Sequence, residues 1–274
     1  MARDAKEVEN GFVGIAMHDG QRLFFTESDG PQKPAMILSH GFLMDKSMFA
    51  PQIDRFADRY RVIVWDQRGF GRTGYDGEPF TFWDSARDLL AVLDHLGVER
   101  AVVGGMSQGG FVALRTALLA PERVAGLVLI DTEAGVFTPE ERRGNDELAA
   151  AWRVSGPTPE LVRTLAANLI GDPTHEERWM RRWLSLGPDV FGAPYDCLAA
   201  REDLTPRLGE IGSAALVIHG RQDKAVPIQR GRALAAGLPG GGEFVEIDGG
   251  HTSTMTNPDD ANVAISDFLR RLAW

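Results

Sequence analysis

Five residues, Gly105-Met106-Ser107-Gln108-Gly109, stand between a run of small apolar residues, Ala101-Val102-Val103, and an apolar helical pattern that opens at Gln108 or Gly109. A serine on a sharp strand-to-helix turn is an exposed nucleophile: flanking glycines let the chain turn without side-chain clash, and the helix N-terminus favours developing negative charge. A serine hydroxyl is weak by itself, so the chain must also supply a base and a group that orients it. His251 lies in Asp248-Gly249-Gly250-His251, just past the strand-like run Phe244 to Ile247, and Asp223 lies in Gly220-Arg221-Gln222-Asp223, just past Leu216 to Ile218. The order Ser, Asp, His puts all three beyond the carboxyl ends of strands, where open α/β sheets hold their sites. Asp131, which closes the run Leu127 to Ile130, is the rival for the orienting acid. A tetrahedral oxyanion needs two backbone donors. The N–H of Gln108 is one, and the loop His40-Gly41-Phe42 after Met36 to Leu38 nominates the N–H of Phe42 as the other.

These residues need a sheet to hold them. Apolar runs at Met36 to Leu38, Val62 to Trp65, Ala101 to Val103, Leu127 to Ile130, Leu216 to Ile218 and Phe244 to Ile247 read as strands buried on both faces. Helical patterns such as Phe82 to Leu96 and Gly109 to Leu119 alternate with them, which predicts an α/β fold with a mainly parallel sheet. Phe12 to Phe25, split by His18-Asp19-Gly20, reads as an edge hairpin. The interval from Ile130 to Leu216 is far longer than one crossover requires. It holds three threonine-led helix starts, Thr138-Pro139-Glu140-Glu141, Thr158-Pro159-Glu160 and Thr174-His175-Glu176-Glu177, the first and third as capping boxes. Residues 134–203 are thus expected to form an all-helical insertion into a core made of 1–133 and 204–274. A last helix starts at Asn257-Pro258, with Ala261, Ile265, Phe268, Leu269 and Leu272 on one face.

Other chemistries fit poorly. Gly69-Phe70-Gly71-Arg72-Thr73-Gly74 has dinucleotide-fingerprint spacing, but the following helix begins only near Thr81, so no helix N-terminus meets a pyrophosphate. Gly104 to Gly109 has P-loop spacing with Gly110 where a lysine is needed. The histidines, His18, His40, His95, His175, His219 and His251, show no paired ligand spacing, so no metal is expected. With 29 Lys and Arg against 39 Asp and Glu, a net charge of -10 spread along the chain argues against nucleic acid and anionic membrane surfaces as partners. The lone Cys197 forms no internal disulfide, and with no signal peptide or membrane-span pattern this predicts a cytoplasmic protein.

Taken in order, His40-Gly41, Asp66-Gln67-Arg68-Gly69-Phe70-Gly71 after Val62 to Trp65, the turn around Ser107, Asp223 and His251 resemble the α/β-hydrolase superfamily. The branch is that of small cytoplasmic hydrolases with a helical cap inserted after the sixth strand, and the resemblance runs from residue 12 to the C-terminus. It implies an eight-stranded sheet, a triad of Ser107, His251 and Asp223, no metal or cofactor, and hydrolysis of a carboxylic ester or lactone of modest size. Relatives with the same triad hydrolyse carbon–carbon bonds of diketone-like substrates or carry out perhydrolysis. Others in the superfamily keep the triad as hormone receptors with negligible turnover. Relatives that open epoxides or remove halogens use an aspartate at the turn, which Ser107 excludes here.

The insertion carries Trp152, Trp179, Trp183, Phe191 and Tyr195. Trp179, Met180 and Trp183 share a helical face, which by itself means packing of the insertion. Alternatively, Trp152, Trp179 and Trp183 join Phe42, Met44, Met106 and Phe137 in lining an apolar substrate pocket. The sequence leaves the oligomeric state open.

Overall fold

The computed structural model describes residues 11–75 and 77–274. An antiparallel hairpin, β1 (Gly11–His18) and β2 (Gln21–Ser28), turns through Asp19 and Gly20, both at positive φ. It pairs antiparallel with β4 (Arg61–Trp65), beside β3 (Ala35–Ser39), β5 (Ala101–Met106), β6 (Val124–Ile130), β7 (Ala215–Gly220) and β8 (Glu243–Ile247). The eight strands run in the order β1-β2-β4-β3-β5-β6-β7-β8, and every pairing from β4 through β8 is parallel. The α/β fold with a mainly parallel eight-stranded sheet is as expected from the sequence.

Because side chains alternate along a strand, the sheet feeds two apolar layers. Met36, Leu38, Val62 and Val64 face one, with α1 (Ala50–Phe56) and α10 (Pro258–Arg271), while Ile37, Ile63, Val103 and Leu129 face the other, with α2 (Phe82–His95), α3 (Gln108–Leu119) and α8 (Ile228–Gly237). Strands β3 to β7 are buried along their whole length, which is why their sequences are continuously apolar.

Between β6 and β7 lie α4 (Pro139–Ser155), α5 (Pro159–Leu169), α6 (Pro173–Leu184) and α7 (Ala193–Ala199). Thr138 and Glu141 cap α4 reciprocally and Thr158 caps α5. At α6 the expectation fails: Asp172 is the N-cap, accepting from the Thr174 N–H, and Thr174 lies inside the helix. Asp172-Pro173 supplies a capping carboxylate followed by a proline preset for the first helical position, and this start outcompetes the threonine two residues later. After β8 the short α9 (Ser253–Thr256) leads into α10. Among the described residues, no helix is long and apolar enough to cross a membrane.

Candidate active site

Ser107 is the junction between β5 and α3, with φ 52° and ψ -117°. A non-glycine residue held there costs about 1–3 kcal/mol, which the surroundings must offset. The Ser107 N–H donates to the Ile130 carbonyl at 2.8 Å, and its own carbonyl accepts from the Gly110 N–H and the Thr132 hydroxyl. The two glycines of the turn are required by close approach: a Cβ on Gly105 would lie 2.2 Å from the Gly109 carbonyl carbon, and one on Gly109 1.9 Å from the Ser39 oxygen. The strand, the helix and the end of β3 therefore converge directly beneath the hydroxyl.

His251, in the loop after β8, reaches this hydroxyl. Its Nε2 is 2.9 Å from Ser107 Oγ and its Nδ1 is 2.8 Å from Asp223 Oδ2. The carboxylate only accepts, so Nδ1 carries the hydrogen and Nε2 is free to accept from the serine. Asp223 lies in the turn after β7, its carboxylate shielded from solvent and bonded by the N–H groups of Ala225 and Val226. Burial pushes this carboxyl up, but the facing His251 and hydrogen bonds from His219, His251 and Val226 outweigh it and hold the group well below the usual carboxylate range. Burial pulls His251 down, and the charge and hydrogen bond of Asp223 more than restore it, leaving the imidazole above its ordinary value. Asp131, the rival acid, faces elsewhere. Its carboxylate accepts from the Gly220 N–H and from both the N–H and hydroxyl of Ser253, tying the end of β7 to the start of α9. Burial and the nearby Asp223 charge push Asp131 up to about 6.

The loop after β3 is fixed by side chains from two other loops. His40 Nε2 accepts from the Gln67 N–H, so Nδ1 carries the hydrogen and donates to the Gly41 carbonyl. The Gln67 side chain donates to the His40 carbonyl and accepts from the side-chain amide of Gln108. Among the described residues, neither the Phe42 N–H nor the Gln108 N–H has an acceptor. Leu43 follows at φ 62°, and its carbonyl accepts from the indole of Trp183 on α6 at 2.8 Å. Substituting Trp183 by Phe keeps most of the bulk but leaves this carbonyl unpaired. A loss of about 1–3 kcal/mol of stability is expected, read by urea unfolding.

A cavity of about 440 Å³ opens over Ser107 and His251. Phe42, Met44, Met106 and Phe137 line it, together with Leu148, Leu165, Phe191 and Leu198 of the insertion. The three tryptophans do not. Trp152 is buried among insertion residues with its indole on the Gly187 carbonyl, Trp183 is turned onto Leu43, and Trp179 meets Met255 and borders a separate cavity at the insertion–core seam. Each buried indole N–H needs a partner, and the partners Gly187, Leu43 and Met255 hold the three rings out of the cavity lining. Nothing in the sequence pointed to an ion quartet, three of whose members, Glu133, Glu141 and Arg201, line the cavity. Glu133, almost fully buried, accepts from Arg201 at 2.9 Å and from Arg230 at 3.1 Å, and Arg230 also holds Glu141.

Residues 34–258 match the family model for the alpha/beta hydrolase fold. The chain is 32% identical to a 2-hydroxy-6-oxononadienedioate/2-hydroxy-6-oxononatrienedioate hydrolase of Burkholderia vietnamiensis, over 93% of this chain and 94% of that one. Among solved structures it is similar to a thermophilic esterase from Thermogutta terrifontis, with 30% identity, a TM-score of 0.84 and coverage of 96% of this chain and 98% of that one. An enol-lactonase from Burkholderia xenovorans gives 26% identity and a TM-score of 0.86, covering 94% of this chain and all of the other (100%). With the family match spanning most of its length and this geometry at the carboxyl ends of its strands, the chain belongs to the alpha/beta hydrolase fold family.

Proposed function

We propose that this protein is a serine hydrolase of small, largely apolar carboxylic esters or lactones, acting through an acyl-enzyme. The observation that carries this reading is the continuous chain from Ser107 Oγ to His251 Nε2 at 2.9 Å and from His251 Nδ1 to Asp223 at 2.8 Å, beneath an apolar cavity. Ser107 Oγ attacks the carbonyl carbon while His251 Nε2 takes its proton. The charged imidazolium is held by Asp223, and the oxyanion is met by the N–H groups of Phe42 and Gln108. His251 then returns the proton to the leaving alcohol as the C–O bond breaks. Water, deprotonated by His251, attacks the acyl carbon and releases the acid and Ser107.

The base must be neutral, so activity falls as pH drops through the His251 pKa. Because Asp223 raises that pKa above its ordinary value near 6.5, the acid limb of kcat/KM is expected above pH 6.5. A profile flat from pH 5 to 8 would contradict His251 as the base.

The charges lining the cavity support uncharged substrates. Arg201 is matched by Glu133 and Glu141 by Arg230, and Lys224, on an exposed turn, is the one lining Lys or Arg without a carboxylate partner among the described residues. Likeness to a hydrolase whose named substrate is a dioate supports a second reading, carbon–carbon bond hydrolysis by the same three residues. A panel of p-nitrophenyl esters of graded acyl length and simple lactones, assayed beside a vinylogous 1,5-diketone acid, separates the two. Turnover of the esters with an optimum in acyl length is expected, and exclusive turnover of the diketone acid would replace the first reading by the second. A Leu148→Trp variant, which narrows the cavity, is expected to move the optimum to shorter acyl groups, each methylene counting for roughly tenfold in kcat/KM or more. The single cysteine, buried and with its thiol pushed up to about 12 by burial, takes no part in this chemistry and fits a reducing, cytoplasmic setting.

A further inference from the structure

His219 has no role in the steps above, yet it is fully buried near the carboxyl end of β7, against the acid that orients His251. Its Nε2 lies 2.9 Å from the Val226 carbonyl oxygen and 3.3 Å from Asp223 Oδ2. Both neighbours accept, so Nε2 carries the hydrogen, bonded to the Val226 carbonyl with the Asp223 oxygen as a second, longer neighbour. Asp223 Oδ2 is also the oxygen that accepts from His251 Nδ1. One carboxylate oxygen thus faces two imidazoles.

The other side of the ring is shaped to admit it. Nδ1 has no hydrogen-bond partner among the described residues, and a Cβ on Gly231 of α8 would lie 2.3 Å from it. Glycine inside a helix is destabilising relative to alanine, and a buried unpaired nitrogen adds a further penalty. An aliphatic side chain at 219 would leave no nitrogen unpaired. What the imidazole offers in return is its Nε2–H.

We propose that His219 is a positioning residue of the triad: its Nε2–H ties the Asp223 carboxylate to the Val226 carbonyl, fixes the lone pair offered to His251, and weakens Asp223 as an acceptor. The proposal rests on the serine-hydrolase reading. The charged groups around this point are Asp131 at the end of β6, Asp223 after β7 and His251 after β8; α8 presents Gly231, and α9 the hydroxyl of Ser253. Burial lowers His219, but the Asp223 hydrogen bond and the Asp131 charge bring it above its ordinary value, and its charge in turn opposes that of His251. With the donor removed, Asp223 holds the His251 proton more firmly, whether His219 is neutral or charged. The sign is the same in both cases: the acid limb moves up.

The test is kcat/KM against pH for the full chain carrying His219→Leu, His219→Gln or Gly231→Ala, with a p-nitrophenyl ester as substrate. His219→Leu is expected to lower kcat roughly 10- to 100-fold and to move the acid limb up by roughly half a pH unit or more. His219→Gln, whose amide N–H reaches the same place, is expected to restore most of both. In an Asp223→Asn background the His219→Leu effect should largely vanish. An unmoved limb, equal losses in the Leu and Gln variants, or the same loss in the Asp223→Asn background would reduce His219 to core filling. If His219→Leu does not fold, Gly231→Ala, which crowds Nδ1 and displaces the ring, must move the limb upward or the proposal falls. Turnover that survives Ser107→Ala would instead overturn the serine-hydrolase reading, a separate outcome.

Discussion

Replacing Ser107 by alanine is expected to lower kcat for ester hydrolysis by about ten-thousand-fold to a million-fold, with KM changed little. The reason is geometric. The hydroxyl is the group within 2.9 Å of His251 Nε2, and the chain accepts a strained backbone at Ser107 to put it there. In the proposed reading, substrate is bound by the apolar wall of the cavity, which includes Phe42 and Leu198 and which the substitution leaves in place. The proposed oxyanion donors are backbone groups and also remain, so slow residual turnover above the uncatalysed rate is expected. The comparison requires matched amounts of folded protein, checked by melting temperature. A variant within tenfold of the parent would mean that another group attacks the carbonyl.

Asp223→Asn should be nearly as damaging, with a fall of about ten-thousand-fold in kcat. An asparagine amide turned toward His251 donates where the carboxylate accepted, so the imidazole is driven to the tautomer that cannot accept the serine proton. The matching experiment is Asp131→Asn. Asp131 bonds Gly220 and Ser253, one at the end of β7 and the other two residues beyond His251, so its substitution loosens the supports of both the acid and the base. Its loss in kcat should be at least tenfold smaller than that of Asp223→Asn, accompanied by a lowered melting temperature. A greater loss in kcat at Asp131 would exchange the roles of the two acids.

The parts of the site that could be read from the sequence are those in which adjacent residues must be of particular types. The turn at Ser107 needs Gly105 and Gly109 because the backbone of Gly109 lies against the first and the end of β3 against the second, and that need shows in the letters themselves. The strands were legible because a sheet covered on both faces demands unbroken apolar runs such as Leu127 to Ile130. The tryptophans of the insertion show the limit. A helical face of Trp179 and Trp183 reveals that the face is buried, but not whether it meets a cavity or a wall, and the deciding contacts are with Met255 and Leu43, distant in the chain. The start of α6 was misplaced for a local reason, two competing caps within three residues. Neither the quartet of Glu133, Arg201, Arg230 and Glu141 nor the approach of His219 to Asp223 has a sequence period. Both depend on loops brought together by the sheet, and the spacing of histidines along the chain is silent on them.

The central claim is a covalent acyl-enzyme on Ser107, and intact-protein mass spectrometry tests it most directly. The protein would be mixed with a p-nitrophenyl ester and quenched in acid during turnover. The predicted result is a species heavier by the mass of one acyl group, mapped by proteolysis to the peptide containing Ser107, formed during the burst of nitrophenol and absent from Ser107→Ala. Steady turnover with no such species at any quench time, together with hydrolysis by Ser107→Ala at the parent rate, would contradict the account.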